Sequence, residues 1–431
     1  MKRIVRMVVF TTILLGITFT LFGCALGNKA DDKRGITDKT VTVANTIATS
    51  GPFAFVGTPF KIGMESVFKQ VNEKGGIHGR KIILKHDNDE GDPIKGAQKI
   101  QTFLNKDKVF GIVGSFAATT EPSIPLVEKA NAILFYAANG TKALYIPEAK
   151  GAQKGIMAVQ PISINDGRAM LASAVSGKLY GPGNNEVLPK DAKIGVLHTS
   201  LAGEKEMLEG IKMEAETRGY ENLVIREVNT ADATAVQAAV TFMKNENVSV
   251  LIIAMTQPTF KTTITPLINA DFAAPVFTSY FNADASVFGD AKPKFRIFSN
   301  TWIDLTAESG LKDLQEYLQF LKDTNNQTYT TNAFFSAGYI AGKMFCEALE
   351  RAGKDLTVSG FIAAQEKTGK VNIPMGGTVD FTNGKRTGTE DFGLVEFLDK
   401  DKSGKTDPVT GEPISAYVKS RGLVSITDIG K

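Results

Sequence analysis

The chain has 431 residues, with 49 Lys and Arg against 46 Asp and Glu and a formal net charge of +3. Charges of both signs are mixed throughout, so composition gives no case for nucleic-acid binding. A chain of this length exceeds one ordinary hydrophobic core and predicts two domains.

The first segment reads as an export signal rather than as structure. Lys2, Arg3 and Arg6 form a basic start, and Met7 to Phe22 is an apolar run without a charge, ending at Gly23-Cys24. That run is short for a spanning helix, which needs roughly 20 apolar residues. No second apolar run approaches membrane length. Leu21-Phe22-Gly23-Cys24 resembles the bacterial lipobox, in which the cysteine becomes the lipidated first residue of the mature chain. Phe22 is bulkier than the usual residue there, so a plain cleaved signal or an uncleaved anchor stays open. The polar linker Gly27 to Gly35 favours lipidation of Cys24. With residues 1–23 removed, the expected product is an exported body tethered to a membrane by residues 24–38, facing the periplasm or cell exterior. Cys346 is the second of two cysteines. Without Cys24 it has no partner, and it is expected as a buried, inert thiol in the apolar helical pattern Ala333 to Leu349.

In chain order, Thr40-Val41-Thr42-Val43-Ala44 alternates as a strand, and Ser50-Gly51-Pro52 breaks it. Phe60 to Val71 predicts a helix, Lys74 to Gly79 a tight connection and Ile82 to Lys85 the next strand. Asp92-Pro93 opens a helix with Asp as its cap and Pro at its first position. The strand Val109 to Val113 then runs into Gly114-Ser115-Phe116-Ala117-Ala118-Thr119-Thr120-Glu121-Pro122 and a helix from Ser123 to Ala130. A strand ending in small and hydroxyl residues before a helix leaves backbone N–H groups free to hold an anion or a carbonyl oxygen. Open α/β sheets bind ligands at this end of their strands. Plain capping of the helix by Thr119 or Thr120 fits the same residues. Ile133 to Tyr136 is a fourth strand, ending in Ala137-Ala138-Asn139-Gly140-Thr141.

The plan then restarts. Helices are predicted over Asn165 to Gly177, Glu204 to Thr217, Ala231 to Asn245 and Phe260 to Ala270. Strands are predicted over Lys193 to Leu197, Leu223 to Val228, Val248 to Ala254 and Pro275 to Phe277. Alternation of this kind argues for parallel sheets. Leu311 to Gln365 is mostly helical, and late strands fall at Gly377 to Phe381 and Phe392 to Leu398. Gly181 to Pro189 reads as a surface insertion and Asp399 to Pro413 as a polar turn region.

Catalytic templates are absent: there is no His-Glu-x-x-His, Gly-x-Ser-x-Gly or Walker loop. His78, His86 and His198 are scattered and match no zinc pattern. Asp399-Lys400-Asp401-Lys402-Ser403-Gly404 begins like a calcium loop. Its twelfth position is Thr410 rather than Glu, and Pro408 intrudes, so a turn is expected there. No enzyme activity, metal or cofactor is expected.

Ser50-Gly51-Pro52, Val71-Asn72-Glu73-Lys74-Gly75-Gly76-Ile77-His78-Gly79, Asp87 to Asp92-Pro93, and Thr119-Thr120-Glu121-Pro122 together resemble the leucine/isoleucine/valine-binding protein family. These are the type I periplasmic solute receptors of ABC importers. The resemblance covers nearly the whole mature chain. It implies an α/β fold of two Rossmann-like lobes with parallel central sheets, joined by three crossing segments and closing on a ligand by hinge motion. Lobe 1 would comprise 39–162 plus 299–376 and lobe 2 163–298 plus 377–400. Residues 401–431 would form a C-terminal turn region and tail. The implied partners are a small organic solute, a membrane permease and its ATPase; no nucleic acid is implied, and the receptor would be a monomer. A sensory receptor that reports the ligand to a separate signalling partner is the alternative.

The resemblance also implies where ligand would sit. Ala117 occupies the position of the serine that receives the α-carboxylate in amino-acid-binding members, with the hydroxyls of Thr119 and Thr120 close by. Asn139, Gly140 and Thr141 match the loop after the fourth strand. In the second lobe Ser200 would contribute, Gln257 stands at an aromatic position ahead of Pro258, and Tyr280 stands where an acid commonly holds the ammonium, with Asp284 as a possible substitute. Phe53 and Phe55 would form an apolar wall. Phe53, Phe55 and Tyr280 also fit ordinary packing. Without the acid a zwitterionic amino acid is a poor ligand, and a neutral amide or an aromatic or aliphatic carboxylate fits better.

Overall fold

The computed structural model describes residues 31–115, 119–183, 185–305, 308–330, 332–406 and 410–431. The export segment, Cys24 and Ala117 lie outside the described residues.

The chain opens with β1 (Thr40–Thr46), α1 (Ala54–Glu73), β2 (Lys81–Asp87), α2 (Pro93–Asn105), β3 (Gly111–Val113), α3 (Thr120–Lys129), β4 (Ile133–Phe135) and β5 (Ile156–Met157). It continues through α4 (Ser163–Ser176), β6 (Ile194–His198), α5 (Ala202–Arg218), β7 (Leu223–Glu227), α6 (Ala233–Asn245), β8 (Val250–Ala254), α7 (Gln257–Asn269), β9 (Val276–Thr278) and β10 (Ile297–Thr301). The last part holds α8 (Glu308–Asp323), α9 (Ala333–Ala352), α10 (Val358–Thr368), β11 (Lys370–Asn372), β12 (Thr378–Asp380), β13 (Asp391–Leu398), β14 (Lys405–Thr406), β15 (Pro413–Ile414) and β16 (Ala416–Ser425).

Two sheets organise these elements. The first runs β2-β1-β3-β4-β5, parallel throughout. The second runs β16-β13-β10-β9-β8-β6-β7. Its strands β6 to β10 are parallel, and β13 and β16 extend the β10 edge antiparallel. The expected parallel central sheets are present in both lobes, and in lobe 2 the two antiparallel strands are added only at one edge. The chain passes between the lobes three times, after β5, after β10 and before β13.

Local chemistry explains the elements. Asp92 caps α2 as expected, its carboxylate accepting from Ile94 N and Lys95 N at 2.8 and 3.1 Å. The buried strand β8 reads as a continuous apolar run because helices cover both its faces. Lobe 1 packs α9 against α1, and lobe 2 packs α4 against α5, by the same device. A methyl group on Gly338 would stand 1.9 Å from the Phe60 carbonyl oxygen, and one on Gly63 would stand 2.4 Å from that of Phe335. In lobe 2, Gly167 approaches the Met207 carbonyl and Gly210 that of Ile164, each leaving 1.9 Å for a methyl carbon. Reciprocal glycines let the two helix backbones touch in each lobe. Between α1, α9 and the first sheet lies an aromatic core in which Phe345 contacts Phe135 at 5.7 Å and Phe361 at 6.0 Å. Cys346 is buried beside it, as expected.

Three boundaries differ from the sequence reading. Gly57 and Pro59 obscured the first two turns of α1, which begins at Ala54 rather than Phe60. The segment 377–400 divides: β12 pairs with β11, and Val379 and Phe381 sit in the first lobe's core, so only β13 belongs to the second sheet. Residues 401–431 are not simply a tail, since β16 pairs with β13 along the edge of lobe 2. Near the N-terminus, the end of the expected linker is docked. Buried Arg34 donates to the carbonyls of Val109 (2.7 Å), Leu104 and Ala130, and Asp32 accepts from Ser359 N at 2.8 Å.

Candidate functional site

The crossing segments meet at the start of α4. Asn165 Nδ2 donates to Thr387 O at 2.7 Å, holding the third crossing. Asp166 is fully buried and accepts from Ser279 Oγ at 2.5 Å and from Asn300 Nδ2 at 2.7 Å, which fixes the ends of β9 and β10. Burial pushes the Asp166 carboxyl up to about 6, against the opposing effect of these hydrogen bonds. Thr389 N donates to Val159 O at 2.9 Å, pairing the first and third crossings directly. This knot sets the two sheets so that loops at the carboxyl ends of their strands lie beside the crossings.

On the lobe 2 side the loops after β6 and β8 are fastened by Glu204, the third residue of α5. Its carboxylate is fully buried, with no cation paired to it among the described residues. One oxygen accepts from Thr256 N (2.9 Å), Thr256 Oγ1 (2.9 Å) and Thr259 Oγ1 (2.6 Å), and the other from Thr199 Oγ1 (2.5 Å). A buried charge is tolerable when hydrogen bonds replace its water, and the N-terminus of α5 adds favourable dipoles. Ser200 and Gln257 stand exposed on the two loops that Glu204 joins.

On the lobe 1 side, Thr119 is buried and its hydroxyl meets that of Thr46 at 3.4 Å. It makes no side-chain cap on α3, so the capping reading is not realised by Thr119. Both threonine hydroxyls also reach Asp89, whose carboxyl burial raises above its usual range. The hydroxyls of Ser115 and Thr120, at the mouth of α3, are buried without a partner. Asn139 accepts from Thr141 N at 3.1 Å, and the Thr141 hydroxyl donates to Glu121 at 3.3 Å. Gly140 lies against the start of α4: its carbonyl accepts from Ser163 N at 2.8 Å, and a methyl group there would stand 2.8 Å from Ser163 Oγ.

The lobes touch directly at this flank. Lys142 Nζ meets Glu209 on α5 at 2.7 Å. Glu206, one turn earlier, faces the Lys142 backbone; burial and the nearby Glu121 and Glu209 raise its carboxyl above the usual range.

Phe53 and Phe55 are 55% and 68% exposed and do not enter the core. The Phe53 ring covers Gly91, and Phe55 meets Phe334 edge-on at 6.1 Å. Tyr280 stacks on Phe281 at 4.3 Å, and its hydroxyl donates to Pro161 O at 3.2 Å, on the first crossing. Asp284 caps the next turn through Ser286 N at 2.9 Å and is solvent-exposed. The structure thus sets Asn139, Gly140, Thr141, Ser200, Gln257 and Tyr280 on loops that flank the crossings, while Thr119 turns into lobe 1. The three histidines stay apart, with separate contacts to Glu350 O, Asn45 and Thr199 O. Sequence reading missed Asn165, Asp166 and Glu204. A signal for Glu204 existed in its place three residues into a helix behind a Thr-Ser loop, the position from which an acid reaches back.

Two α/β lobes, three crossings and strand-end loops on both sides define a two-lobed solute-binding fold. The sequence profile of the periplasmic binding protein family matches residues 40–403, and the chain belongs to that family. Among curated relatives, Leu/Ile/Val-binding protein homolog 3 of Brucella melitensis biotype 1 is 24% identical over 317 residues, which span 73% of this chain and 79% of the relative. Solved structures share the fold at low identity. The fatty acid ABC transporter substrate-binding protein from Thermomonospora curvata is 18% identical with a TM-score of 0.67, over 92% of this chain and 95% of that one. The ABC transporter substrate-binding protein of Aeropyrum pernix is 15% identical with a TM-score of 0.68, over 91% and 97%. A Desulfitobacterium hafniense substrate-binding protein in complex with Leu is 15% identical with a TM-score of 0.64, over 88% and 99%.

Proposed function

We propose that this chain is the extracytoplasmic solute-binding lipoprotein of an ABC importer. It captures a small organic solute between its lobes and delivers it to a permease and ATPase complex, with no covalent chemistry. The observation that carries this reading is the buried knot of Asn165 and Asp166, which ties all three crossings at the point where both sets of strand-end loops converge. A knot there lets two rigid lobes move about a defined axis, as ligand-driven closure requires. The names of the relatives, Leu/Ile/Val-binding and fatty acid transport among them, support a small organic solute. Cys24 carries the membrane lipid, and the docking of Asp32 and Arg34 on lobe 1 gives the tether a fixed point of attachment.

A thermal-shift screen tests the reading. The panel holds leucine, isoleucine, valine, their amides, and small aromatic and aliphatic carboxylates. A solute that binds the folded state raises the melting temperature by mass action. A dose-dependent rise with at least one solute supports the receptor reading. No rise across this panel and a broader metabolite set contradicts it.

A further inference from the structure

We propose that the flank where the lobes touch is a proton-controlled latch: when its carboxylate cluster takes up one proton, lobe 1 and lobe 2 hold together more tightly. The latch would regulate the solute cleft, so its use rests on the receptor reading, whereas its test needs no solute.

Outside the crossings, Lys142–Glu209 is the one ion pair that joins the two lobes among the described residues. Lys142 follows the loop Asn139 to Thr141 of lobe 1. Glu209 lies on α5 of lobe 2, the helix whose Glu204 fastens the loops of Ser200 and Gln257. The pair therefore ties one candidate binding loop to the helix that organises the loops across from it.

Three carboxylates face this single cation. Glu209 meets Lys142 Nζ at 2.7 Å, and Glu121, at the start of α3 in lobe 1, accepts from Thr141 Oγ1 at 3.3 Å. Glu206, one turn before Glu209, faces the Lys142 backbone N–H, and its Oε2 is buried without a partner among the described residues. The other charged groups nearby are engaged elsewhere. Glu204 turns to Thr199, Thr256 and Thr259, and Lys205 to Glu227 at 3.6 Å. The start of α4 brings Ser163 against Gly140, while its Asp166 is held by Ser279 and Asn300. Glu121 and Glu206 thus repel each other across the lobe boundary.

Burial first, and then Glu121 and Glu209, raise the Glu206 carboxyl above its ordinary value, against the pull of the Lys142 N–H and charge. Glu121 and the Lys142 loop belong to lobe 1, so the raise belongs to the touching lobes and fades as they part. An arrangement that binds a proton more tightly is favoured as pH falls. Each unit of the raise shifts the ratio of touching to parted lobes by about tenfold. Once protonated, Glu206 no longer repels Glu121 and has an O–H to donate.

Energy transfer between two dyes tests this on the full chain in detergent micelles, with no solute present. The dyes sit at Gln101→Cys on α2 and Thr241→Cys on α6, both exposed positions, with Cys24→Ser leaving buried Cys346 as the only native thiol. Transfer efficiency should rise between about pH 7.5 and about pH 5. Glu206→Gln should hold it near the acid value throughout, and Glu121→Gln should move the rise to lower pH. A flat efficiency in the unsubstituted latch, a rise that persists in Glu206→Gln, or a rise left unmoved by Glu121→Gln overturns the proposal. A solute screen without any hit would sink the receptor reading and leave this result standing.

Discussion

Asn300 holds Asp166 twice: its Nδ2 donates to the Asp166 carboxylate at 2.7 Å and to the Asp166 carbonyl at 3.0 Å. Asn300 lies next to the end of β10, just before the second crossing, and Asp166 lies in the first turn of α4, just after the first. The pair therefore joins two of the three strands of the hinge at one buried point, with Asn165 supplying the third.

This pair makes stability depend on pH in a defined window. Burial raises the folded-state value of Asp166 from 3.8 to about 6. The folded protein then binds this proton more tightly than the unfolded chain. The contribution is fully present below 3.8 and is lost as pH rises through about 6, by at most about 3 kcal/mol. Asp166→Asn keeps one acceptor for Asn300 and should flatten the pH dependence of the urea midpoint between pH 4 and 6. An unchanged slope in that variant would show that Asp166 does not titrate in the window.

Removal of the Glu204 carboxylate strands the donors of Thr199, Thr256 and Thr259 in a buried site. Glu204→Ala should lower the unfolding free energy by about 3 kcal/mol. It should also weaken solute binding by freeing the loops that carry Ser200 and Gln257. Chemical denaturation with titration on the same variant checks both. A destabilised variant with wild-type affinity would show that the clamp serves the fold alone.

The reciprocal glycines leave no room for a methyl group against a backbone carbonyl. Gly338→Ala in lobe 1 and Gly167→Ala in lobe 2 should each cost about 2 kcal/mol or more, because the backbone on the far side cannot step aside as a flexible side chain would. Exposed Gly183, which meets nothing within 4 Å but has a positive φ, should cost less when replaced by Asn. Thermal unfolding of the three variants gives the order.

Burial also raises the Cys346 thiol well above its ordinary range, so the reactive thiolate is suppressed in the folded state. Peptide mapping after brief alkylation should find Cys346 unmodified in the native protein and fully modified in denaturant. Modification at equal rates in both states would place it at the surface.

Long periodic elements were legible from sequence because apolar spacing and capping act locally: the Asp92-Pro93 start of α2 and the apolar run of β8 are as expected. Short or edge elements were not. β5 has two residues, too few for any period, and β16 is half-buried along its length except at Lys419 and Ser420, with no buried face to give a period, because it covers the sheet edge rather than the core. β10 was missed because Ile297-Phe298 is followed by polar Ser299-Asn300, buried only through its bonds to the hinge. The same reason hid much of the site. Asp166 and Glu204 act through partners over fifty residues away in sequence, such as Thr256 and Asn300, and no local spacing reveals such a bond. Thr119 was read as ligand-facing from its position at a helix start, but Thr46 and Asp89 draw its hydroxyl into lobe 1.

The central claim is that one solute is held by loops of both lobes. Hydrogen–deuterium exchange of the full chain, with and without the solute that most raises its melting temperature, tests this directly. The account predicts that binding slows exchange together in Asn139 to Thr141 and Thr119 to Glu121 of lobe 1, and in Thr199 to Leu201, Thr256 to Gln257 and Ser279 to Phe281 of lobe 2. Protection confined to one lobe, or falling on other surfaces, would contradict it.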